Sequence, residues 1–260
     1  MPRLQDLLQT WIKIFLKRGP ESESPQEGTL SLDTLPSLEE ILKGPDALPR
    51  DCLRFFLPAP LEDEGLLLGR ESEMERLKAA LKAWEGGRPE AVALVGPQGA
   101  GKTSLANCLL GHYPGDWRIL RSVIRKRLST EESVLGFFNG LFDLDPPAAD
   151  AGTLMERLVK AEPRIVLVES GHNALLRVLG GQKAAELFFY ILLGTRGRHF
   201  WLLTFRDLAW GNMDRQLGIA RCFSQVVRVE PLSEDTLQDA LNLRIAGSGL
   251  KPFFYTSQEK

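Results

Sequence analysis

The chain has 260 residues, of which 43% are hydrophobic and 25% are charged, and its formal net charge is −2. This length allows one large domain or two smaller ones with a sizeable hydrophobic core, and the composition is that of an ordinary globular protein. The nearly neutral charge excludes a general electrostatic attraction to nucleic acid or to anionic lipid.

The cysteines and the apolar runs favour a cytoplasmic protein. Cys52, Cys108 and Cys222 are too far apart to form a metal-binding pattern or a disulfide framework. The longest apolar run, Leu187 to Leu193, falls far short of the ~20 residues that a membrane-spanning helix needs. Lys13 interrupts the apolar N-terminus, which is therefore a poor export signal.

The first segment, residues 1–18, is predicted to be an amphipathic helix. Its apolar residues recur at helical spacing: Leu4, Leu7, Leu8, Trp11, Ile12 and Phe15. One interpretation is a helix that binds a membrane surface or a partner. The other is a helix docked on its own domain or on a neighbour, which we favour because Ile14 and Leu16 interrupt the polar face.

Residues 19–65 are predicted to be a linker and an irregular lead-in. Gly19 to Thr34 is rich in Ser, Glu, Pro and Gly, and a short helix is expected near Ser37–Leu42.

The main domain is predicted over residues 66–231, with strands and helices in alternation. A first helix carries Met74, Leu77, Leu81 and Trp84 on one face. The predicted strands are Ala91–Val95, Ile119–Ile124, Ile165–Val168, Phe200–Thr204 and Val226–Val229. The predicted helices between them include Ser104–Leu110, Glu131–Phe142, Thr153–Lys160 and Ala184–Leu193. This alternation predicts an α/β fold with a central parallel five-stranded sheet flanked by helices.

The sequence between the first strand and the next helix fits the phosphate-binding pattern G-x-x-x-x-G-K-[ST]. It reads Gly96, Pro97, Gln98, Gly99, Ala100, Gly101, Lys102 and Thr103, and Ser104 follows it. The glycines allow backbone N–H groups to turn towards a polyphosphate, and the helix adds the positive end of its dipole. Lys102 is expected to reach the β- and γ-phosphates, and the Thr103 hydroxyl to bind Mg²⁺. The absence of an Asn-Lys-x-Asp signature favours ATP over GTP.

From about residue 66 to the end, the chain resembles the AAA+ ATPases, especially their Orc1-like and signal-transduction (STAND) branches. Residues 96–103 resemble the Walker A loop, and Arg164–Glu169 resembles the Walker B strand. Phe200–Arg206 resembles the fourth core strand with its polar sensor, and Val227–Glu234 resembles the fifth strand leading into a helical lid. Leu68–Glu71 resembles the segment that opens such domains.

The resemblance assigns roles to residues outside the loop. It implies that Gly69 and Arg70 lie near the adenine, that Glu169 supports Mg²⁺, and that Thr204 senses the γ-phosphate. Arg206, just beyond the sensor strand, is expected to meet the γ-phosphate as well.

The Walker B strand departs from the family pattern. The usual ending is an Asp followed by a Glu that polarises the attacking water, whereas this chain has Glu169 and Ser170. A serine is no general base at neutral pH, so nucleotide binding is expected to survive better than turnover. Glu162 and His172 are near in sequence and are alternative water-orienting groups, although we interpret both as surface residues.

Two sets of basic residues have a functional and an ordinary interpretation. Arg215 and Arg221 follow the sensor strand and are candidates for an arginine finger towards a neighbouring subunit, or ordinary surface residues. A basic cluster comprises Arg118, Arg121, Arg125, Lys126 and Arg127. It is interpreted as a solvated strand edge rather than a nucleic-acid site, because no aromatic residues alternate with the charges.

Residues 232–260 are predicted to be a partial helical lid, with Ser233 as the N-cap of a helix over Leu232–Arg244. The family's lid has more helices, so either the chain is a fragment of a longer protein or the lid is vestigial.

The expected function is a nucleotide-dependent switch or weak ATPase that acts on a protein partner or self-associates, with ATP and Mg²⁺ as ligands. Three alternatives remain open: an oligomeric motor ATPase, an Orc-like DNA-associated subunit, and a regulatory ATPase held at a membrane surface by residues 3–18.

Overall fold

The computed structural model describes residues 59–111, 113, 115–174 and 181–248. The expected helices at 1–18 and Ser37–Leu42, most of the 19–65 lead-in and the end of the 232–260 lid lie outside these residues. The chain divides into two units, one formed by residues 59–240 and one to which residues 241–248 belong. Within the described ranges, no helix combines the length and the apolar character needed to cross a membrane.

The described residues contain seven α-helices and five strands, which alternate along the chain except that two helices stand between the second and third strands. The helices are α1 (Glu71–Glu85), α2 (Lys102–Gly111), α3 (Glu131–Phe142), α4 (Ala151–Lys160), α5 (Gly181–Thr195), α6 (Asp207–Leu217) and α7 (Glu234–Ser248). The strands are β1 (Ala91–Val95), β2 (Arg118–Val123), β3 (Arg164–Glu169), β4 (Phe200–Phe205) and β5 (Gln225–Arg228). Short 3₁₀ turns cover Glu64–Leu66, Gly171–Ala174 and Ile219–Cys222.

The strands form one parallel sheet in the order β2-β3-β4-β1-β5. This arrangement confirms the predicted α/β fold with a central five-stranded parallel sheet. β1 lies inside the sheet, with Leu94 opposite Thr204 of β4 and Val227 of β5. β2 and β5 are the edge strands.

Both faces of the sheet are covered, as the uninterrupted apolar sequence of β1 predicts. Ala91, Ala93 and Val95 join a core with buried residues of α3, α4 and α5. Val92 and Leu94 point to the other side and join a core with buried residues of α1 and α2. All five residues of β1 are buried, so the loop that follows β1 starts from a fixed point.

The predicted strands and helices are found, with ends that coincide or differ by at most four residues. The α4 prediction began at Thr153, but the helix begins at Ala151 because the Asp150 side chain caps it by accepting from the Thr153 N–H. Helix α7 extends to Ser248 rather than ending at Arg244, and the Ser233 hydroxyl accepts from the backbone N–H of Thr236 at its start, as predicted.

Because the strands are parallel, the residues that follow β1, β3 and β4 meet at one edge of the sheet. The loop 96–101, the pair Glu169 and Ser170, and Arg206 all lie there. Glu162 precedes β3 and therefore lies at the opposite edge, which removes it as a water-orienting candidate and agrees with its interpretation as an exposed surface residue.

Candidate functional site

The phosphate loop (residues 96–103) connects buried β1 to the N-terminus of α2. Gly99 and Gly101 have φ angles of 82° and 92°, which lie in the region that glycine adopts without strain. Gly96 is required for another reason: a Cβ there would come within 2.2 Å of the carbonyl oxygen of Val229. Gln98 and Gly99 form the exposed tip of the loop.

Lys102 is the first residue of α2, and its side chain folds back over the loop. Its Nζ donates to the carbonyl oxygens of Gly96 and Pro97, at 2.8 and 2.6 Å. Partial burial lowers the pKa of Lys102; the carboxylate of Asp207 opposes this shift and the guanidinium of Arg206 adds to it. The ammonium group of Lys102 thus points to the loop, and the charge of a second cation, Arg206, acts on it.

Two oxygen donors meet beside this lysine. The hydroxyl of Thr103 donates to the Glu169 carboxylate, with an Oγ1–Oε2 distance of 2.7 Å. The pair joins α2 to the carboxyl end of β3, and both groups are the hard oxygen ligands that Mg²⁺ prefers. The residues present therefore fit the predicted cation.

Ser170 directly follows Glu169 and bends the chain sharply. Its φ is 58°, in the left-handed region that is uncommon for residues other than glycine. Its backbone N–H donates to Oγ1 of Thr204 at 3.1 Å, so the buried Thr204 hydroxyl holds the ends of β3 and β4 together. The sensing role of Thr204 stays a prediction.

The Gly171–Ala174 turn brings His172 to this edge of the sheet. The turn packs against β4 and α6. The Nδ1 atom of His172 is buried and has no hydrogen-bond partner among the described residues. Burial, followed by the charges of Arg206 and Lys102, holds the pKa of His172 below its usual value. The structure therefore places His172, which is half-buried, at the same edge of the sheet as the candidate site.

The arginines after β4 differ in their positions. Arg206 is the exposed N-cap residue of α6, and its charge acts on both Lys102 and His172. Arg215 and Arg221 are exposed, and their Nε atoms donate to Gly211 O and Gly218 O in their own turns. Nothing in these contacts distinguishes a finger from an ordinary surface arginine.

Arg70 has a role that the sequence did not indicate. Its Nη2 donates to Ala100 O at 3.0 Å and to Glu230 O, and its Nη1 pairs with Glu73 at 2.9 Å. The residue is only 5% exposed. Arg70 therefore braces the phosphate loop against the segment before α7, while contact with adenine stays a prediction.

Other predicted residues have structural contacts. Gly69 has a φ of 67°, and a Cβ there would lie 2.5 Å from Thr236 Cγ2. The hydroxyl of Ser104 accepts from the backbone N–H of Leu61 at 3.0 Å. Asp207, which the sequence analysis did not single out, acts on Lys102; the only signal for it was its place directly after Arg206.

The basic cluster lies on and beyond β2, an edge strand of the sheet that the described residues form. All five side chains are exposed: Arg118, Arg121, Arg125, Lys126 and Arg127. Arg121 Nη1 donates to Asn107 Oδ1 at 2.8 Å. This position agrees with the interpretation of the cluster as a solvated strand edge.

Comparison with known proteins supplies a family and a fold. A family model described as an AAA ATPase domain matches residues 66–212, which is more than half of the chain. No curated protein matches the sequence.

Several solved structures share the fold. The ORC1 protein of Aeropyrum pernix in complex with DNA has a TM-score of 0.52 and 18% identity, over 73% of this chain and 55% of its own. The Cdc6p protein of Pyrobaculum aerophilum has a TM-score of 0.55 and 17% identity, over 74% and 53%. A Walker-type ATPase of Pyrococcus abyssi, PABY2304, has a TM-score of 0.50 and 17% identity, over 76% and 63%. The chain thus spans less than two thirds of each of these structures.

Proposed function

Since this chain belongs to the AAA ATPase domain family, we propose that it binds ATP with Mg²⁺ and acts as a nucleotide-dependent switch or slow ATPase on a protein partner. The observation that carries the proposal is the convergence of Lys102, Thr103 and Glu169 at the carboxyl edge of the sheet. A cation over a glycine-rich loop, beside a hydroxyl and a carboxylate, suits a polyphosphate and its metal ion.

The second acidic residue of the family pattern is replaced by Ser170, which supports slow turnover. The Ser170 N–H is bonded to Thr204, and its hydroxyl is no base at neutral pH. Phosphoryl transfer depends on positioning the water and on neutralising charge, and only the second of these is supplied by Lys102 and Arg206. This chain should therefore bind ATP well and hydrolyse it slowly.

The test measures Mg-ATP binding and steady-state hydrolysis on one sample of the full chain, for the wild type, Lys102→Ala and Lys126→Ala. Lys126 is an exposed lysine outside the phosphate loop and serves as the matched control. We expect the wild type and Lys126→Ala to bind ATP and to turn over well below ~1 s⁻¹. Lys102→Ala should lose binding. Equal binding by all three proteins, or by none, contradicts the proposal.

An Orc-like role on DNA is the second candidate, favoured by the exposed basic cluster at the β2 edge. The structurally similar ORC1 protein was solved in complex with DNA. DNA binding that weakens with salt and falls on reversing the charges at residues 125–127 would support this candidate. Failure of the chain to bind DNA at low salt would exclude it for these 260 residues.

A further inference from the structure

Among the described residues of the candidate site, His172 carries the one buried side-chain nitrogen that has no hydrogen-bond partner. Its Nδ1 is buried without a hydrogen-bond partner among the described residues. A buried ring nitrogen in this condition carries a desolvation cost that is recovered only when a donor or acceptor is supplied. The residue lies two positions after Ser170, where the expected acid is missing.

The turn that carries His172 is fixed on three sides. Asn173 donates through its backbone N–H to Ser170 O at 2.9 Å and through Nδ2 to Ile124 O at 2.7 Å. The Asn173 carbonyl accepts from Leu128 N at 3.0 Å. Gly171 is pressed against the ring of Phe205, which a Cβ would approach to 2.7 Å. A residue on such a turn is held in one place, as a positioning group must be.

The surroundings of His172 are those of the phosphate end of a nucleotide site. Lys102 and Arg206 are near enough for their charges to act on the ring. Burial and these two cations lower the pKa of His172, so the imidazole is neutral at pH 7 and keeps a lone pair that can accept a proton or a hydrogen bond.

We propose that His172 binds and orients the water that attacks the γ-phosphate, in place of the acid that Ser170 replaces. The inference rests on the proposed function, because it requires ATP in the phosphate loop. A ring nitrogen accepts a hydrogen bond from the water and directs its oxygen at phosphorus. The new bond joins the water oxygen to the γ-phosphorus, and the bond to the β–γ bridging oxygen breaks. The electron pair of that bond leaves on ADP. Both protons of the water end on the phosphate formed, one on the oxygen that attacked and one transferred to a second phosphate oxygen, and the phosphate then equilibrates with solvent.

The experiment compares single-turnover hydrolysis and ATP affinity in the full chain for four proteins: wild type, His172→Ala, His172→Leu and Glu162→Ala. Glu162 is the matched control, since it is the other residue near β3 that could orient a water but lies at the opposite edge of the sheet. Ala and Leu both remove the ring nitrogens, and Leu keeps more of the side-chain volume. A fifth protein, the variant His172→Gln, returns a polar group that can hold a water.

We expect His172→Ala and His172→Leu to hydrolyse ~100-fold more slowly than the wild type, with ATP affinity within about 2-fold, since a positioned acid–base group contributes ~10²–10⁴. Glu162→Ala should equal the wild type, and His172→Gln should recover part of the rate. Retained ATP affinity shows that a variant is folded. If His172 had only a structural role, its loss would lower the ATP affinity together with the rate.

Three results would overturn the inference, and each is distinct from failure of the proposed function. Wild-type rates in His172→Ala or His172→Leu would show that the imidazole does not hold the water. A wild type that binds ATP and never hydrolyses it would remove the step assigned to His172 and leave the nucleotide switch intact. Loss of ATP binding in both variants would assign His172 to binding or folding. A wild type that does not bind ATP contradicts the proposed function itself.

Discussion

Single residues set the shape of the phosphate loop, and Gly96 is the most constrained of them. It follows β1, and its Cα faces the carbonyl of Val229, just beyond β5. The pattern G-x-x-x-x-G-K-[ST] shows that a glycine belongs here, but only the structure shows that the backbone of a neighbouring segment is what excludes a side chain.

Gly96→Ala is expected to lower the free energy of unfolding by about 2–3 kcal/mol, because a methyl group 2.2 Å from a backbone oxygen forces β1 and the segment after β5 apart. Urea unfolding of the purified chain measures this change. The control is Gly136→Ala in the exposed middle of α3, where no described atom outside the helix's own backbone lies within 4 Å of the added Cβ. It should raise stability by about 0.5–1 kcal/mol. Equal effects of the two substitutions would refute the steric argument.

The sequence supplied the loop residues because their chemistry is local: Gly96 to Thr103 are consecutive, and their spacing indicates their role. The sequence predicts a surface position for His172, since nothing in it shows which side chains pack around a residue. The structure brings it near enough to Lys102, which is 70 positions earlier in the numbering, for the charge of the lysine to act on the ring, because β1 and β3 are parallel strands of one sheet. The assigned roles of Thr204 and Arg206 stay predictions.

At the scale of elements, Arg70 joins three parts of the domain. It stands at the N-cap of α1, and its guanidinium contacts the phosphate loop at Ala100 and the segment before α7 at Glu230. No periodicity or motif could reveal this brace, because Glu230 lies 160 residues away in the chain. Carbonyl oxygens that lose a buried guanidinium are left without a donor.

Arg70→Ala is therefore expected to lower the free energy of unfolding by about 2–3 kcal/mol, through the loss of the Glu73 pair and two partly buried hydrogen bonds. It should also weaken Mg-ATP binding, because the Ala100 end of the loop is released. Urea unfolding and a binding titration measure the two effects.

Lys78→Ala provides the control for this substitution. It removes the Lys78–Glu64 ion pair, whose side chains are 53% and 42% exposed, and should change stability by no more than ~0.5 kcal/mol. A similar small effect of Arg70→Ala would show that the brace does not hold the elements together.

At the scale of the whole molecule, the core contains a histidine that makes stability depend on pH. His199 precedes β4 with no exposed surface, and its Nε2 lies 2.9 Å from Leu158 O of α4. Burial lowers its pKa to about 4; the hydrogen bond to Leu158 opposes this shift, and Arg164 and Arg198 add to it. The folded chain therefore keeps this imidazole neutral well below the pKa of ~6.5 that it has when unfolded.

As pH falls from 6.5 towards 4, the unfolded chain binds a proton at His199 before the folded chain does, so stability falls across this window. Between pH 7 and pH 5 the expected loss from this residue is about 2 kcal/mol. Urea unfolding at both pH values measures it in the wild type and in His199→Gln, which keeps a donor towards Leu158. The variant should lose about 2 kcal/mol less than the wild type. The same loss in both proteins would contradict the assignment.

The fold was predictable because alternating apolar runs and helical patterns leave few arrangements other than a covered parallel sheet. In β1, Val92 and Leu94 point to one face of the sheet and Ala93 and Val95 point to the other. Because all four are apolar, the sequence already implies that both faces are buried. The order β2-β3-β4-β1-β5 was not predictable, since strand neighbours are chosen by packing between segments that are distant in the chain. The ends of helices differ from their predicted positions where a side chain such as Asp150 provides the cap.

The left-handed backbone at Ser170 limits which acid this position can accept. With φ at 58°, aspartate is among the residues that this conformation tolerates, because its short side chain bonds to nearby backbone groups. Glutamate lacks that compensation and carries a cost of ~1 kcal/mol or more. A carboxylate at this position, whether it arises by evolution or by design, is therefore introduced with less backbone strain by Ser170→Asp than by Ser170→Glu. The longer acid must either bear this cost or shift the backbone before Gly171.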